Sequence, residues 1–256
     1  MTGGSDGLGL AVAKRLAREG FNICIVSRNA DKIREKLSEI WQECRKGDRD
    51  FQTLAVVADF AKLHTIEDYR REIADKVAHL DIGVLVLNAG HVCFGPFQET
   101  DDALIEKTFQ INSMHTLYTL KVLSQKLSYR FDDRRRRSAI VLTNTVAGMY
   151  PLSAISTYSS TKAFGIHLAK CLNYEFRDKI DIYSFNPGVM TTKLSGVSST
   201  GLKVISEERA SDVIFRDLGH TAYSIGSFRH EFFGFLMLNW PNLLTNPAKR
   251  LNIVLP

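Results

Sequence analysis

The chain has 256 residues, 45% hydrophobic and 24% charged, a balance that excludes a disordered polypeptide and suits one folded domain with no Pro/Gly/Ser-rich linker across residues 1–256. A net charge of +5 is too modest to single out a nucleic-acid partner, although it would suit an anionic ligand or an acidic membrane surface. Cys24, Cys44, Cys93 and Cys171 form no metal-ligand spacing with one another or with His, and no apolar run reaches the roughly 18–20 residues of a membrane span, so reduced thiols, no metal and a soluble or membrane-peripheral chain are expected.

The opening stretch, Thr2-Gly3-Gly4-Ser5-Asp6-Gly7-Leu8-Gly9, runs into an apolar period at Leu8, Val12 and Leu16. Glycines let a backbone approach a pyrophosphate, and a helix N-terminus stabilises its charge, so a phosphate-binding turn entering a helix is predicted. Such a turn should follow a buried strand, and only Met1 precedes Thr2; the sequence therefore reads as N-terminally truncated, its sheet lacking the first strand. Residues 21–27 form the next predicted parallel strand. An acidic residue at its end would bond the ribose 2′-hydroxyl of NAD. Ser27 and Arg28 instead offer a hydroxyl and a guanidinium suited to a 2′-phosphate, which points to NADP(H); the alternative is a solvated loop arginine.

Residues 30–46 are predicted as an exposed amphipathic helix, 51–58 as a strand ending at Asp59, and 62–78 as a second helix. The apolar strand 82–87 is followed by Asn88-Ala89-Gly90. A helix over about 101–128 carries Asn112 within an apolar stretch, where a polar side chain needs hydrogen bonds. The run Arg134–Arg137 reads as a solvated connecting loop rather than a phosphate contact. After the strand-like run 138–145 comes a helix to about residue 177, then strand 180–185, read as alternating polar and apolar, ending in Asn186-Pro187-Gly188-Val189. Residues 193–206 are rich in Ser, Gly and Thr. Residues 228–256 concentrate aromatic and aliphatic bulk, suiting a packing helix or, equally, a greasy wall for a lipid-like ligand or a membrane-lying patch.

The chemistry centres on residues 143–162. Tyr158 and Lys162 are spaced to project from one helical face, so a phenol stands beside an ammonium as a proton donor. Thr145 closes the preceding strand, where its hydroxyl is expected to meet the phenol across a cleft.

Together with Thr-Gly-x-x-x-Gly-x-Gly at 2–9, this constellation resembles the short-chain dehydrogenase/reductase family over nearly the whole chain. The resemblance implies a doubly wound, Rossmann-like α/β fold, with a parallel sheet in three α/β/α layers. In that family the missing strand lies mid-sheet, so its neighbours are expected to carry unpaired backbone groups. It implies catalytic roles for Tyr158, Lys162, Thr145 and Asn112, with Thr145 standing where the family usually has Ser. Asn112 would hold a helix kink and a water leading to Lys162. The cofactor would be held by Gly3, Ser5, Asp6, Gly7, Leu8 and Gly9, by Ser27 and Arg28, by Asp59 at the adenine, and by Asn88, Ala89 and Gly90. Tyr158 and Lys162 would hold it at the ribose, and Pro187, Gly188, Val189 and Thr192, with Thr191 as fallback, at the nicotinamide side. Residues 193–206 would be a mobile substrate lid, and the helix carrying Tyr158 a homodimer surface.

Phrases at 3–9, 20–29, 80–86 and 156–164 narrow the resemblance to the branch of 17β-hydroxysteroid dehydrogenases and very-long-chain 3-oxoacyl-CoA reductases. That branch implies NADPH-dependent reduction of a ketone on a lipid-like substrate at the cytosolic face of the endoplasmic reticulum membrane. Lys162 is expected to lower the pKa of Tyr158 toward neutrality. The competing reading is an NADP(H)-binding scaffold or sensor that has lost turnover, for which the missing strand and Thr145 speak.

Overall fold

A computed structural model describes residues 1–44, 50–190 and 204–226. The parallel strands β1 (Ile23–Ser27), β2 (Thr53–Val57), β3 (Val84–Leu87), β4 (Ser138–Thr143) and β5 (Ile180–Phe185) form two ladders, β2-β1 and β3-β4-β5, the second extended by a short β8 (Tyr223–Ser224). A small separate pair joins β6 (Val189–Met190) to β7 (Val204–Ile205).

No strand precedes the first helix among the described residues, yet the backbone between β1 and β3 is not left open at the strand ends. Thr2 bridges Val26 on one side and Leu87 on the other. Val26 N donates to Met1 O at 2.8 Å, Thr2 N to Val86 O at 2.9 Å and Gly3 N to Val26 O at 3.0 Å. The expectation of unpaired neighbours is therefore corrected at this end, where the site lies.

Strand parity sorts the side chains into two cores. Ile23 and Ile25 of β1, Val86, Val141, Tyr183 and Phe185 face α1 (Gly7–Arg18), α2 (Ala30–Cys44) and α7 (Glu207–Asp217). Val26, Leu85, Leu87, Ile140, Leu142, Ile180 and Ile182 face the opposite layer, which holds α3 (Ile66–Tyr69), α5 (His115–Arg134) and α6 (Ser156–Phe176). A parallel sheet covered on both faces needs apolar residues of both parities, which is why β5 is buried on both sides, correcting the alternating pattern read from its sequence.

Local sequence explains the helix starts. Asp6, in extended conformation, caps α1 by accepting from Gly7 N at 3.0 Å, and Leu8, Val12 and Leu16 supply one buried stripe. Thr65 and Asp68 form a reciprocal capping box on α3. Where one helix was predicted over 62–78, the chain instead widens from α3 into a π-turn at Arg70–Ala74 and then tightens into a 3₁₀ turn at Asp75–Val77. The helix predicted over 101–128 is likewise divided: α4 (Asp102–Phe109) passes through a π-turn at Gln110–Met114 and continues as α5. A π-turn bulges the backbone outward by one residue, and Asn112 sits in that bulge.

The arginine run is not a simple loop. Arg134 closes α5, Arg135 takes a left-handed conformation (φ 54°), and Arg137 pairs with Asp181 at 2.6 Å while donating to the carbonyls of Arg177 and Asp178. Among the described residues no helix is long and apolar enough to cross a membrane, and no cluster of His, Cys, Asp or Glu could hold a metal.

Candidate active site

The glycine turn is shaped by side chains that are absent. Gly3 has φ +64°, and a Cβ there would lie 2.9 Å from Ala89 Cα. A Cβ on Gly9 would lie 2.2 Å from Gly3 O and 2.6 Å from Asn88 Nδ2, far inside contact distance. Thr2, missed among the candidate residues although it opens the motif, is buried and accepts from both Asn88 N (3.1 Å) and Ala89 N (3.2 Å) through its hydroxyl oxygen. Asn88 returns a bond from Nδ2 to Gly3 O at 3.2 Å. The turn and the Asn-Ala-Gly segment are thus one welded unit at the end of β3.

The other nucleotide-side candidates fall around this unit with varied roles. Ser5 is buried and its hydroxyl donates to that of Ser27 at 3.3 Å, joining two predicted residues. Arg28 is exposed one residue beyond. Leu8 is packed in the core, so only its backbone faces the turn. Asp6 caps α1 and pairs with Lys32, a residue that sequence reading did not select because its partner lies 26 positions away. Asp59, half-buried, accepts from Ala61 N at 3.1 Å. Gly7 also has a positive φ, +48°.

The catalytic candidates are placed by α6. Lys162 is buried and its Nζ donates to Thr143 O at 2.9 Å, 5.9 Å from the centroid of the Tyr158 ring. A Cβ on Gly90 would lie 3.5 Å from this ammonium, so the loop after β3 passes directly over it. Asn112 is gripped on three sides: its Oδ1 accepts from His91 N at 2.8 Å, and its Nδ2 donates to His91 O at 2.8 Å and to Thr161 Oγ1 at 2.9 Å. Thr161 in turn donates to Tyr158 O at 2.7 Å. Asn112 therefore ties the Asn-Ala-Gly loop to the turn of α6 that carries the phenol.

Two expectations are corrected here. The Thr145 hydroxyl does not bond the phenol; it donates to Pro187 O at 3.0 Å and accepts from Ala147 N at 3.3 Å, because Val146 N also seeks Pro187 O, at 3.1 Å, and holds this strand end against residue 187. Nor does Lys162 make the phenol acidic in this arrangement. Burial pushes Tyr158 up to about 12 and Lys162 down to about 8, since desolvation disfavours whichever form is charged.

Pro187 is buried and Gly188 half-buried beside Thr145, and Val189 begins β6. Thr192 and Thr191, the lid apart from residues 204–206, and the apolar extension 228–256 lie outside the described residues.

Two glycines that sequence reading passed over fit α6 to its neighbours. A Cβ on Gly148 would lie 2.7 Å from Ala163 N and from Lys162 C, and one on Gly165 2.3 Å from Asn144 Oδ1. Ser159 donates to the carbonyls of Ala147 and Tyr150. A glycine opposite a predicted helix face was the only available signal for these contacts.

A dinucleotide fits this donor set. The glycine cradle, which any Cβ would fill, opens at the N-terminus of α1, and Arg28 and Lys162 supply cations at its two ends. A doubly wound sheet with a glycine turn at its strand ends, and a Tyr-x-x-x-Lys pair across from it, defines the class of Rossmann-type oxidoreductases.

Residues 1–202 match the model of the short chain dehydrogenase family, and the chain belongs to that family, whose members act on CH–OH groups. It is 33% identical over 207 residues to a very-long-chain 3-oxoacyl-CoA reductase of Neurospora crassa, covering 80% of this chain and 59% of that protein. It is 31% identical over 257 residues to very-long-chain 3-oxoacyl-CoA reductase-B of Danio rerio, covering 98% and 76%. Among solved structures, a 7β-hydroxysteroid dehydrogenase aligns with TM-score 0.79 at 20% identity over 93% of this chain and 90% of that one. A Sphingobium yanoikuyae short-chain dehydrogenase in complex with NADPH aligns with TM-score 0.72 at 23% identity over 99% and 94%.

Proposed function

We propose that this protein is an NADPH-dependent reductase of a ketone on a lipid-like substrate, a 3-oxoacyl-CoA or a 17-ketosteroid, giving a secondary alcohol. The observation that carries this reading is the meeting of Lys162 and Asn112 with the loop that also builds the glycine cradle, Asn112 being tied through Thr161 to the turn of α6 that bears Tyr158. The names of the Neurospora and Danio relatives favour the acyl-CoA substrate, and Ser27 with Arg28 favours the phosphorylated cofactor. Location at the cytosolic face of the endoplasmic reticulum, peripheral membrane contact and a homodimer through α6 follow from the family resemblance.

When bound in the glycine cradle, NADPH would supply the hydride, with its electron pair, that the ketone carbon gains. Tyr158 gives its phenolic proton to the oxygen as charge develops there, so the ketone gains two hydrogens and no free alkoxide accumulates. Thr145 holds the same oxygen once its hydroxyl turns from Pro187 O. Lys162 would bond the cofactor ribose and stabilise the phenolate. Gly3, Ser5, Gly7, Leu8 and Gly9 would hold the phosphates chiefly through backbone, Arg28 the 2′-phosphate, Asp59 the adenine, and Pro187, Gly188, Val189 and Thr192 the nicotinamide side. Asn112 fixes the loop and α6 in register.

Bringing the phenol from about 12 to near neutrality takes about 7 kcal/mol of differential stabilisation. Burial alone moves both groups the wrong way, so the protonated Lys162 and a cationic nicotinamide, whose interactions are stronger at low dielectric, would have to supply it. The competing reading, a nucleotide-binding scaffold, is favoured by the commitment of Thr145 to Pro187 O. NADPH oxidation measured with 3-oxoacyl-CoA and with oestrone separates the two. Consumption with either supports the reductase, and tight NADPH binding without consumption on any ketone supports the scaffold.

A further inference from the structure

Two contacts between residues remote in sequence close the gap between the glycine turn and the end of β1. The Ser5 hydroxyl donates to that of Ser27 at 3.3 Å, and Lys32 Nζ donates to Asp6 Oδ2 at 2.5 Å. Asp6 divides its carboxylate between two tasks: Oδ1 caps α1 by accepting from Gly7 N at 3.0 Å, while Oδ2 holds the ammonium. A positive charge is thereby fixed beside the first turn of α1.

Lys32 is aimed there by its own helix. Its backbone N donates to Asn29 Oδ1 at 2.9 Å and Ile33 N to Asn29 O at 3.1 Å, so α2 begins directly after Arg28 and carries Lys32 in its first turn. Side chains on an α-helix lean toward its N-terminus, which brings the ammonium back toward the end of β1. A cavity of about 720 Å³ opens at this place, with Asp6, Leu10, Asn29 and Lys32 on its wall. The other charged groups lining it are committed to neighbours on α2: Asp31 pairs with Arg34 at 2.8 Å, and Lys36 with Glu35 at 2.8 Å and Glu39 at 2.6 Å. Lys36 thus answers two carboxylates, whereas Lys32 pairs among the described residues with Asp6 alone. An ammonium has three N–H donors, so two remain for an anion in the cavity.

We propose that Lys32 is a second cationic anchor for the 2′-phosphate of NADP(H), alongside Arg28, and that Asp6 is the positioning residue that holds it ready. This rests on the reading of the cleft as an NADP(H) site and names a further residue that sets its choice of nucleotide. The cavity lies outside the carboxyl end of β1, where open α/β sheets take their ligands. The ribose hydroxyl that NADH carries in place of the phosphate has no charge to answer the ammonium, so Lys32 acts on the preference between the two nucleotides. An ammonium that served only to offset Asp6 beside the pyrophosphate would favour both nucleotides alike.

The test is calorimetric titration of the full chain with NADPH and NADH, and with 2′,5′-ADP and 5′-AMP, a pair that differs only in the 2′-phosphate. The parent is compared with Lys32→Met, with the double variant Lys32→Met/Asp6→Asn, whose Asn keeps the cap on α1, and with Lys36→Met as control; thermal melting verifies that each is folded. Lys32→Met should lower the ratio of NADPH to NADH affinity, and of 2′,5′-ADP to 5′-AMP affinity, by about tenfold. The double variant should recover any loss common to all four ligands, because the bared carboxylate is gone, yet keep the lowered ratio. Lys36→Met should leave the ratio unchanged. An unchanged ratio in Lys32→Met, a ratio restored in the double variant, or an equal fall in Lys36→Met overturns the role of Lys32 while leaving the NADP(H) site standing. Failure of NADPH to bind the parent overturns both.

Discussion

At the glycine turn the cleft takes its shape from missing side chains, whereas at α6 it takes its shape from side chains that fill and bond. Gly3 and Gly9 leave room for a backbone or a phosphate where a single Cβ would collide with Ala89 or Gly3 O. Across the cleft, Lys162, Asn112, Thr161 and Ser159 are buried and each is held by hydrogen bonds to a neighbouring element. The first wall is suited to receiving an anion by backbone contact. The second is suited to storing charge at low dielectric, where it acts strongly on whatever approaches. Binding and turnover should therefore separate by mutation.

The largest expected effect tests that separation directly. Tyr158→Phe should lower ketone reduction by about 10²–10⁴-fold while leaving NADPH affinity close to that of the parent, as read by stopped-flow turnover and by calorimetry. Gly9→Ala should do the reverse to binding, abolishing measurable NADPH affinity because its Cβ overlaps Gly3 O. If Tyr158→Phe lost nucleotide binding to the same degree, the two walls would not be independent.

Next comes the cation at the second wall. Burial lowers Lys162 from 10.5 to about 8, so between those values the unfolded chain binds a proton that the folded chain does not. Stability should then rise with pH across that window, by up to about 3 kcal/mol, and the destabilising contribution is fully present below about pH 8. Turnover should move the other way, falling above about pH 8 as the ammonium is lost. Urea unfolding of the parent and of Lys162→Met at a series of pH values checks this: the rise should be absent from the variant.

Gly148→Ala sharpens the comparison by placing a collision on the side-chain-built wall. Its Cβ would press on Ala163 N and Lys162 C at 2.7 Å, so overpacking should cost about 1–3 kcal/mol of unfolding free energy and shift α6 away from the cleft. Turnover should fall more than NADPH affinity. The smallest effect belongs to Thr145→Ser, which keeps the hydroxyl and removes the methyl. Turnover on a given ketone should change by less than about tenfold, with bulkier ketones gaining most. A loss as deep as that of Tyr158→Phe would show that the methyl itself positions residue 187.

Much of this was readable without coordinates, for identifiable reasons. Period and glycine spacing located α1, β1 and the glycine turn, because a missing Cβ and an amphipathic stripe are local properties. The pairing of Tyr158 with Lys162 followed from helical geometry alone. Boundaries failed where hydrogen bonding changed register inside one apolar pattern: the π-turns at Arg70–Ala74 and Gln110–Met114 leave no distinct signature in hydrophobic spacing. The alternation read at Ile180–Phe185 failed because Ser184 and Tyr183 are polar by composition yet are satisfied inside, by Asn144 and Ser224.

By itself, the order of residues pointed to the family and so to the class of fold, and marked the glycine turn and Tyr158 as candidate phosphate site and proton donor, since each motif depends on groups within a few positions of one another. Only the folded chain decided that Thr145 turns to Pro187, that Asp6 finds Lys32, and that Asn112 clamps the backbone of His91. It also decided that burial moves Tyr158 and Lys162 in opposite directions. These outcomes depend on desolvation and on partners up to 42 residues apart, as for Thr145 and Pro187, and both are set by packing of the two layers rather than by any local pattern.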